Sequence, residues 1–514
     1  MKAFFFYLIN NMLRKIRIAF ATAFFMALTL LFLDFTGSVH AYLGWCAKIQ
    51  LVPALLASFS IAVLCTIFLT LVFGRIYCST ICPLGIFQDI VYAIKKKIRK
   101  KEQFEYKKQS KAIIAVRYSL LVLFILPIVL GLSGRGIVMF LDPYSAFGRI
   151  ASLILGPFYK FGNNLLAGFA ERIDSYAFYS TDILLKGSFV LAIAILTLAA
   201  IIVFAYKSGR GYCNTICPVG TFLGLLTKYA FIKPRLDNSK CGLCALCVKN
   251  CKASCIDIVT GKIDSSRCVS CFNCLSVCRK NAITYSRPLK TKLSNEKEPE
   301  LQAESLSEKG LSKRNMLSGS ALILLSSALD LQAHRPADGG LAELVNKKSP
   351  NRTKPLVPAG AGSFKNFHDK CTGCQLCASV CPNQVLSPVK TKPVMSFERG
   401  YCRPECVKCS EVCPTGAIKP VTRAEKSSTQ IGYAIWNPNL CIVNADKVVC
   451  DLCSRKCPTA AITMISQNAN DQTSPKIPMI DTERCIGCGA CEHLCPSRPQ
   501  SAIYVEGIEI HRAI

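Results

Sequence analysis

The chain has 514 residues, 31 of them cysteine, and its 62 Lys and Arg outweigh 32 Asp and Glu to give a formal net charge of +30. Hydrophobic residues make up 51% and mean hydropathy is +0.33, which argues against a wholly soluble protein and leaves room for several domains. The charge alone would suit a nucleic-acid binder. Its concentration in short loops beside apolar runs argues instead for a membrane-flanking role and against nucleic acid.

Four apolar stretches, about Ile18–Phe35, Val52–Phe73, Ala112–Leu132 and Gly187–Tyr206, approach the roughly 20 residues that cross a bilayer. Basic residues crowd the N-terminus (Lys2, Arg14, Lys15, Arg17) and the loop after the second stretch (Lys95 to Lys111). The loop between the first two carries only Lys48. By the positive-inside rule both ends of this unit face the cytoplasm. An apolar patch in the outer loop, Ile150–Phe161, is expected to lie in the interface or re-enter the membrane. The unit repeats itself. Gly74-Arg75-Ile76-Tyr77-Cys78-Ser79-Thr80-Ile81-Cys82-Pro83 follows the second stretch, and Gly209-Arg210-Gly211-Tyr212-Cys213-Asn214-Thr215-Ile216-Cys217-Pro218 follows the fourth. An even number of spans separates the copies, so both fall on one side, as in a parallel repeat.

A first ferredoxin-like segment follows, with Cys241, Cys244, Cys247 and Cys251, then Cys268, Cys271, Cys274 and Cys278. Both sets read C-x2-C-x2-C-x3-C, a pattern that disulfide frameworks do not repeat and [4Fe–4S] ligation does. In two-cluster ferredoxins the fourth cysteine of each set joins the other cluster, so Cys278 belongs with Cys241, Cys244 and Cys247, and Cys251 with Cys268, Cys271 and Cys274. Lys252 and Arg279 replace the usual proline after the fourth cysteine. Cys255 holds the small-residue position of the usual C-P-x-x-A-I and reads as a packing residue. Cys46 and Cys65 read the same way.

Residues 287–312 are polar and rich in Lys, Glu and Ser, a linker composition. Ser312-Lys313-Arg314-Asn315 then precedes an apolar run to about Leu331. A basic pair ahead of a short apolar segment is similar to a twin-arginine export signal, with Lys in place of the first Arg, and export is the expected role, with an ordinary packing helix as the alternative.

Four more sets close the chain. Cys371, Cys374, Cys377 and Cys381 match fully. Cys402, Cys406, Cys409 and Cys413 lengthen the first gap by one residue. Cys441, Cys450, Cys453 and Cys457 lengthen it further, and Cys485, Cys488, Cys491 and Cys495 match again. The longer gaps are expected only to displace a loop. Zinc is the competing ligand for a single irregular set, but not for four sets in series. Together the six sets take 24 of the 31 cysteines and call for six [4Fe–4S] clusters, whose dianionic cores would offset roughly 12 positive charges.

Cys78 and Cys82, like Cys213 and Cys217, stand four apart and share one helix face. They read as ligands of a seventh iron–sulfur centre, as a thiol/disulfide pair, or as packing residues beside a quinone site. No C-x-x-C-H motif is present, and the histidines, His40, His334, His368, His493 and His511, are not paired within the spans, so haem is not expected. No Gly-rich nucleotide fingerprint supports flavin.

The expected architecture is an α-helical membrane domain of four spans with a two-fold repeat, plus α+β bacterial-ferredoxin-like modules. The expected divisions are 1–230 (membrane), 231–286 (two clusters), 287–335 (linker and signal) and 336–514 (four clusters).

On these motifs, residues 1–285 resemble the NapH family of membrane quinol dehydrogenase subunits. Residues from about 312, with Pro358-Ala359-Gly360-Ala361 ahead of Cys371, resemble NapG and MauM. The resemblance implies a fusion of the two that oxidises membrane quinol and passes electrons to a periplasmic acceptor. It implies a bacterial inner-membrane location, with residues 231–312 cytoplasmic and 336–514 periplasmic. Quinone and lipid would then be partners, together with a periplasmic redox protein and either a cytoplasmic ferredoxin or further membrane subunits. It also implies that the first C-terminal set pairs with the fourth and the second with the third, so that Cys495 joins Cys371 and Cys381 joins Cys485. Two other functions fit the same residues, a transmembrane conduit without quinone chemistry and an electron-donating maturation factor for a metalloenzyme. No catalytic residue is identified.

Overall fold

The computed structural model describes residues 2–98, 105–130, 136–175, 177–183, 187–287, 337–338, 342–343, 345–389, 391–468 and 474–514. The Lys313–Arg314 signal and the apolar run to Leu331 lie outside the described residues. Met1–Ser286 and Asn346–Ile514 form one compact unit, and Arg287–Val345 forms another. In the latter a short antiparallel pair, Ala337–Asp338 with Ala342–Glu343, is described.

Among the described residues, three helices are long and apolar enough to cross a membrane: Asn11–Leu33 within the longer helix Lys2–Leu33, Lys111–Val129, and Ser188–Ser208. They match three of the four expected stretches. The remaining stretch does not form one continuous helix. It runs as Leu51–Leu56, turns at Ala57 to Phe59 with Ser58 left-handed (φ 58°), and resumes as Ser60–Phe73. The reason is packing. Leu51, Val52, Pro53, Ala54 and Leu56 are all buried in the protein, whereas Ile61, Leu64 and Phe68 of the second piece are exposed. The fourteen-residue piece rises about 21 Å, short of a hydrocarbon core of about 30 Å. Cys65 on this piece is exposed and Cys46 is buried, so the packing role expected of both holds for Cys46 only.

The outer loop turns inward. Pro143–Ile150 is a helix with every residue buried, packed on Pro83–Ile98 and Ser188–Ser208. It continues through a π-helical stretch, Ala151–Leu155, into Gly156–Arg172. Asp142 starts it by accepting the backbone N–H groups of Tyr144 and Ser145 at 3.2 and 3.0 Å, a cap that satisfies donors the helix leaves unpaired.

The first ferredoxin segment is closed by an antiparallel pair, Lys233–Leu236 with Ile283–Ser286, and braced by the small hairpin of Ile256–Asp257 and Lys262–Ile263. The C-terminal segment uses three antiparallel pairs. Leu386–Val389 joins Lys392–Met395, Ile462–Ser466 joins Lys476–Ile480, and Thr429–Trp436 joins Ile503–Ala513. Two-stranded ribbons are marginal alone, so packing between them and the cysteine loops supplies the core, with Val380, Phe397 and Val505 fully buried. Both segments touch the first helix, at opposite ends. Arg14 donates to Ser276 Oγ at 3.3 Å, and Lys408 Nζ donates to the carbonyl of Thr36, just past the other end, at 2.6 Å.

Candidate metal centres

The ferredoxin-like sets are built by backbone turns. Where two residues separate the first and second cysteines, the residue before the second cysteine and the one after it are both left-handed. The pairs are Leu243 and Ala245, Ser270 and Phe272, Gly373 and Gln375, and Gly487 and Gly489. Such turns gather backbone N–H groups into a concavity suited to an anionic core. In the sets with longer first gaps, Val407 (φ −110°) and Asp451 (φ −133°) follow the second cysteine. The longer gaps therefore change the turn itself and do more than displace a loop. After the fourth cysteine, the third residue is left-handed in five sets, at Ser254, Asn281, Gln384, Gly416 and Ala460. The chain folds back there, and the N–H groups of Ala282, Ala461 and Ile418 reach the sulfurs of Cys278, Cys457 and Cys413 at 3.2, 3.3 and 3.4 Å.

The sulfurs gather in crossed sets. Cys251, Cys268, Cys271 and Cys274 line one cavity, and Cys255 joins them. Cys278 lies beside Cys241 and Cys247. In the C-terminal segment Cys381 shares a cavity with Cys402, Cys406 and Cys409, and Cys413 neighbours Cys371, Cys374 and Cys377. Cys495 lies with Cys441, Cys450 and Cys453, and Cys457 with Cys485 and Cys488. The crossing is thus first with second and third with fourth, which corrects the pairing implied by resemblance. The short helices decide it: Leu376–Ser379 packs on Lys408–Val412, and Leu452–Arg455 on Ala490–Leu494. Among the described residues, no three His, Cys, Asp or Glu side chains converge tightly enough for one metal ion.

The four membrane cysteines also meet. Each first cysteine sits on a one-turn helix, Tyr77–Thr80 or Gly211–Thr215, and the next helices begin at Pro83 and Pro218. The expected continuous helix from Cys78 to Cys82 is broken there, yet Cys78, Cys82, Cys213 and Cys217 are all buried and mutual electrostatic neighbours. The two copies hold each other reciprocally. Arg210 Nη1 donates to the Cys78 carbonyl at 2.7 Å, and Arg75 Nη2 to the Cys213 carbonyl at 3.3 Å. Gly85 and Gly220 fit beneath these carbonyls, where an added Cβ would stand 2.3 Å from the Cys78 or Cys213 oxygen. Side chains supply most of the donors to sulfur: Gln88 Nε2 reaches Cys213 Sγ at 3.1 Å, Arg75 Nη2 reaches Cys78 Sγ at 3.9 Å, and Arg210 Nη1 reaches Cys213 Sγ at 4.0 Å. The Gly220 N–H adds one to Cys217 Sγ at 3.3 Å.

Charge tests whether an anionic core fits here. Arg75 and Arg210 are fully buried, and Arg75 Nε and Arg210 Nη2 lack hydrogen-bond partners. Asp89 pairs with Arg17, Arg210 and Lys252 at 3.2, 2.8 and 2.9 Å. Burial pushes its carboxyl up, but Arg210 and Lys252, with Arg17, outweigh burial and hold it well below the usual carboxylate range. Three cations on one carboxylate, with Arg75 beside them, leave buried positive charge in surplus. Buried charge is costly without a partner, and a thiolate-bound iron–sulfur core is such a partner.

The quartet has neighbours on two sides. Arg75 donates to Ser266 O at 3.1 Å and lies near Cys268, while Lys252, next to Cys251 in the chain, lies near Cys271. On the other side Tyr212 neighbours Cys213, Cys217, Asp142 and Arg149. Arg149 and Tyr144, each 1% exposed, neighbour Cys374. The helix Pro143–Ile150 abuts the C-terminal segment directly, since a Cβ on Gly148 would stand 2.6 Å from the Cys374 carbonyl. Sequence reasoning named none of Asp142, Tyr144, Arg149, Gln88, Arg75 or Arg210 as site residues. Only the two arginines carried a signal, the Gly-Arg pair repeated ahead of each Tyr-Cys.

These features define a membrane-associated iron–sulfur electron-transfer protein of the polyferredoxin type. A 4Fe–4S binding domain family matches residues 55–101 and 189–238, the stretches that contain the two C-x3-C-P motifs. Two 4Fe–4S dicluster domain families match residues 370–418 and 448–498, the first spanning one crossed pair of sets and the second all of the other pair except Cys441. The chain is related to the ferredoxin-type protein NapH of Escherichia coli (26% identical over 37% of this chain and 52% of the relative). It is likewise related to the methylamine utilization ferredoxin-type protein MauN of Paracoccus denitrificans (25%, over 41% and 57%). An uncharacterized protein of Methanocaldococcus jannaschii is 24% identical over 42% of this chain and 66% of its own length. The matches thus cover less than two thirds of each of these three relatives. No solved structure matches.

Proposed function

We propose that the protein carries electrons across the bacterial inner membrane, and that Cys78, Cys82, Cys213 and Cys217 hold a seventh iron–sulfur centre midway along the route. One observation carries this reading. The buried quartet is flanked by the Cys251/Cys268/Cys271/Cys274 set through Arg75 and Lys252, and by the Cys371/Cys374/Cys377/Cys413 set through Tyr212, Arg149 and Tyr144. The six ferredoxin-like sets supply six further [4Fe–4S] sites. A row of such sites moves single electrons and needs no substrate bond to break.

The ends of the first helix support the sidedness. Between Arg14 and Leu33 the helix rises about 28 Å, close to the hydrocarbon thickness of about 30 Å. Its contacts with the two ferredoxin segments fall at those two ends. In this reading residues 231–312 are cytoplasmic and 336–514 periplasmic. The broken stretch Leu51–Phe73 serves as a fourth crossing in a two-fold repeat of helix pairs, and the C-terminal part acts as the NapG-like half of a fusion. Membrane quinol is the donor suggested by the resemblance to NapH, with a periplasmic redox protein as acceptor. A donor on the cytoplasmic side would use the same row of sites without quinone chemistry. Quinol-dependent bleaching of the iron–sulfur absorbance in purified protein tests the quinol step, and no bleaching with a competent quinol removes it. Iron and acid-labile sulfide counts in the Cys78→Ser, Cys82→Ser protein test the seventh centre, and unchanged counts remove that.

A further inference from the structure

The cavity that gathers Cys251, Cys268, Cys271 and Cys274 has a fifth thiol in its wall. Cys255 is 2% exposed and its sulfur lies 3.5 Å from Cys251 Sγ, within the range of an S–H···S contact. Its position in the turn explains why. It stands four residues after the fourth cysteine of its set, as Ala282, Val385, Ala417 and Ala461 do in theirs. A left-handed residue precedes it, as in those sets. In two of them, at Ala282 and Ala461, the backbone N–H of this residue donates to the fourth cysteine's sulfur and the side chain has no donor. At Cys255 the side chain adds a thiol that can donate to the same sulfur, and it also contacts Cys268 of the same set. The packing role expected from the sequence accounts for a small side chain but not for this approach.

We propose that Cys255 is a positioning residue for the iron–sulfur site of Cys251, Cys268, Cys271 and Cys274, which donates its S–H to the Cys251 thiolate and thereby raises the reduction potential of that site. A hydrogen bond to a ligand sulfur disperses its negative charge and so favours the reduced, more negative core. This site flanks the membrane quartet, beside Lys252 and Arg75. A raised potential there makes it a collecting point for electrons at the membrane-facing side of the first module. The step itself is one electron passed to this core from a neighbouring iron–sulfur site of the row, which is oxidised by one electron, with Cys255 keeping its proton.

The inference rests on this quartet holding a cluster, and the experiment separates the two. The full-length protein and its Cys255→Ala and Cys255→Ser variants are compared by iron and acid-labile sulfide content and by EPR-monitored potentiometric titration. The expected result is unchanged iron in all three, one reduced-cluster signal moved to lower potential in Cys255→Ala, and a potential near the native one in Cys255→Ser, whose hydroxyl still donates. Identical titrations in all three would return Cys255 to packing and overturn the inference. Loss of iron in both variants would overturn it in another way, by making Cys255 a primary ligand. Absence of iron from Cys251→Ala and wild type alike would instead defeat the cluster reading beneath it.

Discussion

The membrane quartet and the C-terminal sets present the same ligand in opposite settings. In the C-terminal segment the backbone does most of the work, with left-handed turns and N–H groups at Ile418 and Ala461 aimed at the sulfurs of Cys413 and Cys457. In the membrane quartet side chains from both repeat copies do it, with Gln88, Arg75 and Arg210 around Cys78 and Cys213. Charge follows the same division. Beside the Cys402 set the buried Lys426 ties down the carbonyls of Arg403 and Cys406, whereas the quartet sits by Arg75 and by three buried cations, Arg17, Arg210 and Lys252, that share the Asp89 carboxylate. A turn tolerates most side-chain changes because its donors are main chain. A centre assembled from side chains is open to adjustment, and to loss, residue by residue.

The largest expected effect comes from removing the quartet. Cys78→Ser with Cys82→Ser should lower iron and acid-labile sulfide by about four each per chain if the centre is a cubane, while the C-terminal EPR signals persist. Next is Asp89→Asn. It leaves Arg17, Arg210 and Lys252 without their common carboxylate and should destabilise the membrane unit by about 3–5 kcal/mol, seen as a lower thermal midpoint in detergent. Arg352→Met is the matching change in the C-terminal segment. Arg352 holds the buried Glu492 at 2.5 Å, and its loss should cost about 3 kcal/mol without changing iron at the quartet. A smaller effect should come from Gln88→Leu, which removes one neutral donor to Cys213 and should move the quartet's potential downward at unchanged iron content. Thr415→Val, near Cys413 Sγ at 3.6 Å, should shift its own site less, because the Ile418 N–H remains.

Much of this was legible in the chain itself. Cysteine spacing located six sets, and hydropathy located three helices that span-length criteria accept. What was not legible depended on tertiary packing. The break at Ser58 follows from burial of Leu51–Leu56, which an apolar run of even hydropathy does not reveal. The crossing of adjacent C-terminal sets depends on which short helices pack together, and identical motifs carry no label of their partner. Asp142, Tyr144 and Arg149 come from an outer loop whose inward turn no periodicity announces. Cys255 was visible in the sequence but not its 3.5 Å approach to Cys251.

The central claim is that the membrane cysteines connect the two ferredoxin segments across the bilayer. The direct measurement uses proteoliposomes of the full-length protein with a membrane-impermeant reductant outside and an impermeant acceptor trapped inside. The wild-type protein should reduce the trapped acceptor, and the Cys78→Ser, Cys82→Ser protein should not, although its first-module clusters still reduce. Equal transfer by the two proteins would contradict the account.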